Sequence, residues 1–307
     1  MPCGAVEFHE SSLSPLLGTL SIMNFRRLLV LGSVLYFPCA HAHEGRGHAG
    51  GKAPEKSSIE TEFYLGKHGY YHGGVGLVAP LGGDFTLGIS GHVVMEHTGA
   101  TEVPSLEVEL VRELSSGLEV EGFGFIYPKV EGKSALGGGL RATRSFSFGE
   151  VKVAPFFGPT YAHVEAEREE TGELAGVGHL MLLGGVSLEA GPLTVTLLGT
   201  HSFYDDDPAG LETPVDLESM THFTAYENND GLARTTAAVE LSYAFTECIA
   251  LQLRYASMWF DDETRHAVAL MPSFQIHPQV QLTAGVQLLR GGEAPNDLVF
   301  AGLMVTF

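Results

Sequence analysis

The dominant pattern after residue 57 is an alternation of apolar and polar positions in runs of about ten residues. The final run shows it clearly, since Val299, Ala301, Leu303, Val305 and Phe307 all fall on one face. Gly, Pro, Asp and Asn separate one run from the next. Because successive side chains of a strand point to opposite faces, this period of two predicts antiparallel sheet with one apolar and one polar face.

The chain contains about fourteen such runs, and a count between roughly 12 and 16 fits the pattern. The predicted strands are 58–67, 70–80, 84–96, 104–114, 118–127, 134–147, 151–164, 173–189, 193–204, 232–245, 249–260, 265–276, 280–290 and 298–307. No stretch after residue 42 is a continuous apolar run of the length that a membrane-spanning helix needs, roughly 20 residues. The sequence therefore predicts an all-β fold.

The connections between the predicted strands alternate in length. Short turns are predicted at 81–83, 115–117, 148–149, 190–191, 246–248 and 277–278, and longer links at 97–103, 166–172, 205–231 and 291–297. Barrels of the bacterial outer membrane join their strands by short periplasmic turns and longer external loops. The alternation thus favours a closed antiparallel transmembrane β-barrel over the alternative, a soluble β-sandwich, which gives no reason for it.

The N-terminal region has the features of an export signal in residues 23–42. Arg26 and Arg27 supply positive charge, an apolar run follows over 28–37, and Ala-His-Ala at 40–42 is a cleavage site of the A-x-A type. The apolar run is too short to cross a bilayer as a helix. The alternative is a buried helix of a cytosolic protein.

These boundaries divide the chain into four parts. Residues 1–22 are acidic and unlike a signal, so they are predicted to be an upstream extension, non-native or disordered, with Met23 as the true start. After the signal peptide, residues 43–57 form a polar periplasmic segment. Residues 58–307 form the barrel.

Composition narrows the possible partners. The chain of 307 residues has 17 Lys and Arg against 37 Asp and Glu, a formal net charge of −20. Nucleic acid is excluded as an expected partner because its binding normally needs a basic face. Glycine supplies 39 of the 307 residues, about 13% against roughly 7% on average.

The export signal, the alternating strands and the ending Leu-Met-Val-Thr-Phe at 303–307 resemble the outer-membrane β-barrel proteins of Gram-negative bacteria, of the porin-like and small-solute transporter kind. The resemblance covers 58–307 and is one of architecture, without a subfamily motif. It implies a monomer or homotrimer in the outer membrane, in contact with lipid and lipopolysaccharide. It also implies that the barrel-assembly machinery reads Phe307 and that small solutes pass through the lumen.

One predicted hairpin, 104–114 with 118–127, distinguishes the lumen from the lipid face. One of its faces is apolar apart from Arg112, and the other carries five glutamates. A charge on the lipid face costs about 2–4 kcal/mol at the midplane, so the glutamate face is assigned to the lumen. With two more from the first strand, the predicted acidic wall is Glu60, Glu62, Glu107, Glu109, Glu113, Glu119 and Glu121.

The same odd–even alternation, applied to the other strands, predicts a set of basic side chains that face the lumen. Its members are Arg141, Lys152, Arg234, Arg254 and Arg265. Acidic and basic walls on opposite sides of a narrow pore would select solutes by charge and dipole. The alternative is the scattered charge that any wet lumen carries.

Strand-end aromatic residues fit girdles at the two membrane interfaces. They are Tyr64, Tyr127, Tyr161, Tyr204, Tyr243, Tyr255 and Trp259. Core packing in a sandwich would explain them equally well.

Metal ligation has scattered candidates and no four-ligand spacing. Histidines and acidic oxygens are the groups that Zn²⁺, Cu²⁺ and Ca²⁺ use. The candidates are His43, His48, His68, His72, Asp205, Asp206 and Asp207.

Catalysis has weaker support, and we predict no enzyme and no cofactor. His201 and Ser202 are adjacent, so they point to opposite faces of a strand, and His179 lies too far from Ser187 along one strand. The sequence therefore favours a channel that passes small solutes through a charged, partly acidic lumen. The alternatives are a barrel with a metal-binding or lipid-hydrolysing site at its rim, and a structural or adhesive barrel whose lumen is plugged, with 205–231 as the loop that would fold inward.

Overall fold

The computed structural model describes residues 56–66, 70–95, 103–114, 117–130, 132–168, 171–208, 211, 232–261, 263–291 and 297–307. These residues form fifteen strand segments. They are β1 (Ser58–Gly66), β2 (Tyr71–Gly82), β3 (Phe85–Met95), β4 (Val103–Leu114), β5 (Leu118–Val130), β6 (Lys133–Arg144), β7 (Phe146–Phe148), β8 (Val151–Glu167), β9 (Leu174–Ala190), β10 (Leu193–Tyr204), β11 (Thr235–Thr246), β12 (Ile249–Trp259), β13 (Thr264–His277), β14 (Val280–Arg290) and β15 (Asp297–Thr306). Within these ranges no helix is long and apolar enough to cross a membrane.

The strands form a closed antiparallel barrel. Each pairs with its neighbours in sequence, and β1 closes the ring by pairing with β15 from Ser58–Thr306 to Gly66–Leu298. The segments β6 and β7 both pair with β8 and form one barrel strand interrupted at Ser145, so the barrel has 14 strands. The all-β closed barrel predicted from the alternation is confirmed.

The break at Ser145 is a local departure from the single strand predicted over 134–147. The Ser145 amide donates a hydrogen bond to the Gly117 carbonyl, 2.8 Å away, in the turn between β4 and β5. This bond continues the β5–β6 pairing by one residue beyond Leu118–Arg144, and the pairing with β8 keeps the same register on both sides of Ser145.

Tight turns join the strands at the barrel end where β1 begins and β15 ends. The turn from β2 to β3 shows why they are tight, because Gly82, Gly83 and Asp84 all have positive φ, a conformation that glycine adopts at little cost. Single positive-φ glycines, Gly149 and Gly191, serve the β7–β8 and β9–β10 turns. The opposite end carries connections of mixed length, from the short link between Val130 and Lys133 to the long one between Tyr204 and Thr235.

The two faces of the barrel wall differ as the alternation predicts. On β4, Leu106, Val108 and Leu110 are exposed on the outside with 44%, 42% and 42% of their surface accessible, while Glu107 and Glu109 between them are buried inside. A soluble protein has the reverse arrangement, with apolar side chains inside. An apolar outer band, with charged residues inside among buried aromatic and aliphatic side chains, suits a closed sheet surrounded by lipid.

The abundance of glycine has a packing reason. Inward-pointing aromatic rings lie over glycines of the neighbouring strand, so that a Cβ added at Gly137 would lie 2.5 Å from Phe125 and one at Gly139 would lie 2.7 Å from Phe123. Each of these glycines is directly opposite its ring in the β5–β6 register. Glycine at these positions gives large inner side chains the room to lie flat along the wall.

The predicted aromatic girdles are partly wrong. Tyr161, Tyr243, Tyr255 and Trp259 lie exposed on the outside, as expected. The others share the inward parity of their strands, so Tyr64 and Tyr127 are buried in the interior and the Tyr204 hydroxyl donates a hydrogen bond to the Ala233 carbonyl. A position near a strand end sets where a side chain lies along the barrel axis. Its odd or even place in the alternation sets whether it points outwards or inwards.

A charge placed on the outer face tests the orientation of the wall. We expect Val108→Arg to lower the free energy of unfolding in lipid vesicles by about 2–4 kcal/mol, because the guanidinium then lies in the hydrocarbon. The control Gln252→Arg places the same group on the polar inner face and should change stability little. Equal losses for the two variants, measured by urea unfolding, would contradict this assignment of the faces.

Candidate functional site

The inner face of the barrel holds charged residues. Glu107 and Glu109 on β4 and Glu121 on β5 are buried there. Glu113 and Glu119 are half-buried and face each other in register near the β4–β5 turn. Glu60 and Glu62 of β1 line an interior cavity.

The basic residues expected on the opposite wall lie next to carboxylates. Arg141 pairs with Glu121, Arg254 with Glu240, Lys152 with Glu189, Arg234 with Asp261, and Arg265 with Glu263. The first three pairs join neighbouring strands, and the other two lie at a loop end. The structure therefore places acidic and basic groups side by side at these positions, where the sequence pattern predicted them on facing walls.

The Glu121–Arg141 pair is the most buried of these. The two residues are direct partners in the β5–β6 register, and at most 6% of either side chain is accessible. The guanidinium donates to the Glu121 carboxylate. Both charges are removed from water on folding, so each needs the other to offset its desolvation.

An interior cavity of about 300 Å³ is lined mainly by polar side chains. Three of its carboxylates come from Glu60, Glu62 and Glu240, and Arg254 donates to Glu240 over 2.8 Å. The remaining polar lining consists of Thr61, Thr194, Ser242, Gln252, Ser273, Gln281 and Thr283. This composition suits water and hydrated ions better than an apolar ligand.

At the barrel end that carries the connections of mixed length, charged residues form hydrogen bonds and ion pairs with neighbouring segments. Arg234 donates to both carboxylate oxygens of Asp261, one of them 2.9 Å from its nitrogen, and these hydrogen bonds hold the pKa of the Asp261 carboxyl below its ordinary value. Asp205 accepts a hydrogen bond of 2.6 Å from the Gly178 amide. Asp206 accepts one of 2.8 Å from the Asp207 amide and lies 3.6 Å from Arg168. Two of the three aspartates proposed as metal ligands, Asp205 and Asp206, thus use their carboxylates in contacts with neighbouring segments.

One group of possible metal ligands stands out among the described residues: Glu62, His72 and His92. His72 is among the histidines that the sequence suggested, and Glu62 was assigned to the acidic wall, while His92 was missed. His43, His48 and His68 lie outside the described residues. The missed signal is the strand register, which brings these three positions of β1, β2 and β3 together on the inner face.

A second contact between strands was also missed. The His179 Nε2 atom lies 2.9 Å from the Ser202 hydroxyl, and both side chains are buried on the inner face. From the sequence, the pairs to consider were His201 with Ser202 and His179 with Ser187. In the structure His179 contacts Ser202 instead, because the β9–β10 register places His179 opposite Tyr204, two residues from Ser202 on the same face. His179 stacks on the Tyr204 ring, 4.9 Å between centroids, and this packing fixes its orientation.

Solved porin structures are among the known structures to which this chain is similar. No protein-family model matches the sequence, and no curated protein matches it. One such structure is a BenF-like porin from Pseudomonas fluorescens Pf-5, with 9% identity and a TM-score of 0.47 over 84% of this chain and 100% of that one. Another is OccAB1 of Acinetobacter baumannii, with 9% identity and a TM-score of 0.49 over 82% of this chain and 96% of that one. A third is OccK9 (OpdG) of Pseudomonas aeruginosa, with 12% identity and a TM-score of 0.46 over 82% of this chain and 98% of that one. The closed antiparallel barrel that the sequence predicts is shown by this chain's own strand pairing.

The buried ion pair allows a quantitative test. Arg141→Met should lower the free energy of unfolding by roughly 3–5 kcal/mol, because the Glu121 carboxylate then stays buried without its guanidinium. The double variant Glu121→Leu with Arg141→Met should regain most of that loss. Single and double variants that each lose less than about 1 kcal/mol in urea unfolding would show that water screens the pair.

Proposed function

We propose that this chain is a channel of the bacterial outer membrane that passes small hydrophilic solutes through a charged, partly acidic lumen. The observation that carries the proposal is the pairing of a closed 14-strand wall, apolar outside, with an interior that holds charged and polar side chains beside buried apolar ones. A closed ring satisfies every strand hydrogen bond within the wall, which is the condition for crossing lipid.

The number of strands supports a channel over a filled barrel. Eight strands enclose a space that side chains can fill, and the diameter grows with strand number. A ring of 14 strands therefore encloses more space than an eight-stranded barrel does. The polar cavity beside Glu60 and Glu240 agrees with this, since its lining offers hydrogen bonds to water and to solutes.

The charge of the interior favours cations. Glu107 and Glu109 are buried on the inner face of β4, and Glu60, Glu62 and Glu240 surround the cavity. Carboxylates around a water-filled constriction raise the local concentration of cations and lower that of anions. Arg141 and Arg254 offset part of this effect, because each is paired with one of the glutamates.

Further features of the proposal come from the sequence. Residues 23–42 act as a cleaved export signal, the mature chain begins at His43, and Phe307 ends the strand that the barrel-assembly machinery reads. The mature barrel contacts lipid and lipopolysaccharide as a monomer or homotrimer. Its activity needs neither covalent chemistry nor a cofactor, because pore size and lining charge select the solute.

Single-channel recording tests this function. The mature chain from His43, refolded into a planar bilayer, should give discrete conductance steps and a reversal potential that favours cations in a salt gradient. A folded barrel that passes no current would overturn the channel proposal and favour the plugged alternative, in which 205–231 occupies the lumen.

The acidic lining has its own test in the same bilayer. Glu107→Gln combined with Glu109→Gln should move the reversal potential towards that of a non-selective pore, because two inner-face charges are lost. The control, Glu150→Gln with Glu247→Gln, removes two exposed charges from tight turns, where salt screens them within about 10 Å at 0.1 M. Equal shifts for the two pairs would contradict a role for the inner face.

A further inference from the structure

We infer that Glu62, His72 and His92 form a binding site for a divalent transition-metal ion in the wall of the barrel. Their candidate ligand atoms all lie within 4.8 Å of one another. His72 Nε2 is 2.9 Å from His92 Nδ1, and Glu62 Oε1 is 3.6 Å from His72 Nε2 and 3.3 Å from His92 Nδ1. The site goes beyond the proposed channel and does not depend on it.

These separations suit a shared ion. Nitrogen and oxygen ligands bound 2.0–2.1 Å from a tetrahedral Zn²⁺ lie about 3.3 Å from one another. The three observed separations lie on both sides of that value, so small movements of the side chains would complete the geometry. The two imidazole nitrogens, which can share a proton at 2.9 Å, can share a cation instead.

The strand register builds the site. Glu62 is directly opposite Gly74 on β2, and Gly74 is directly opposite His92 on β3. Gly74 on β2 therefore lies between Glu62 on β1 and His92 on β3 in one row across the three strands. His72 lies two residues before Gly74 and points to the same inner face. A Cβ at Gly74 would lie 2.6 Å from His92 Nδ1 and 2.8 Å from Glu62 Oε1. The absence of a side chain at this position is what allows the ligands to meet.

The surroundings orient the ligands. His72 and His92 are each 3% exposed, and their rings meet edge to face with centroids 5.1 Å apart. Tyr64 stacks on His72 at 5.3 Å and on Phe300 at 5.2 Å, so β1 and β15 hold the imidazole from behind. Packing of this kind reduces the ordering that binding requires.

The ligand set determines the class of metal. Two imidazoles and one carboxylate suit Zn²⁺, Cu²⁺ or Ni²⁺, whereas Ca²⁺ and Mg²⁺ prefer oxygen ligands alone. Three protein ligands leave a coordination position for water or an exchangeable ligand. Glu62 also lines the polar interior cavity, so an ion can reach the site from the lumen.

Calorimetric titration of Zn²⁺ into the refolded full chain tests the site. His92→Gln and Glu62→Gln keep the approximate side-chain size and remove one ligand or one charge, and each should weaken one Zn²⁺ site at least tenfold. Gly74→Ala should do the same without altering a ligand, which a site elsewhere on the chain would not explain. The matched control is His201→Gln, because His201 is exposed on the outer face, and it should bind Zn²⁺ like the unaltered chain.

The outcomes separate the metal site from a structural hydrogen-bond cluster. Unchanged Zn²⁺ affinity in His92→Gln and Gly74→Ala would overturn the proposal, as would binding of Ca²⁺ that is as tight as that of Zn²⁺. If the variants fail to fold, anomalous diffraction at the zinc edge from crystals of the unaltered chain, soaked in Zn²⁺, decides the question. A peak between the three side chains supports the site, and a peak only at other histidines refutes it.

Discussion

The structure depends on closing one hydrogen-bonded ring. An open sheet of this size would leave two rows of backbone amides and carbonyls without strand partners, which lipid does not tolerate. Pairing of β1 with β15 over nine residue pairs removes both edges. Once the ring is closed, every side chain belongs either to the outside or to the interior, and the alternating sequence assigns them.

Closure also brings residues from distant parts of the chain together in the interior. Tyr64 near the start of the barrel stacks on Phe300 near its end, and Glu62 shares a cavity with Glu240. Glycines on the inner face govern how close such groups come, since Gly137 makes room for the Phe125 ring and Gly74 for Glu62 and His92. The high glycine content therefore serves two purposes, tight turns at one end and space along the inner wall.

Much of the fold could be predicted because a period of two is a strong local signal. The strands, the closed barrel and the inward face of β4 all follow from it. Predicting contacts between side chains of neighbouring strands also requires the pairing register of those strands. A tight turn fixes that register only when the residues at its centre are known. With Gly191 and Pro192 as the β9–β10 turn, His179 and Ser202 become diagonal neighbours. The same reasoning fails for Glu121 with Arg141 and for Gly74 with His92, because the β5–β6 and β2–β3 hairpins each contain a register shift near the turn.

Other features could not be read from the pattern. The interruption of the strand at Ser145 is marked by no residue of the alternation, and the pairing with β8 keeps its register across it. The carboxylates of Asp205 and Asp206 contact backbone amides and Arg168 in the structure, partners that the sequence pattern does not indicate. Local chemistry is ambiguous when its partners come from distant segments.

The central claim, a wall that turns apolar side chains towards lipid and the glutamates of β4 towards the interior, is tested most directly by tryptophan scanning of β4. The chain has one tryptophan, so a Trp259→Phe background allows a single new tryptophan at each position from 105 to 110. In vesicles of brominated lipid, the account predicts strong quenching at 106, 108 and 110 and weak quenching at 105, 107 and 109. Uniform quenching along the strand, or the opposite alternation, would contradict it.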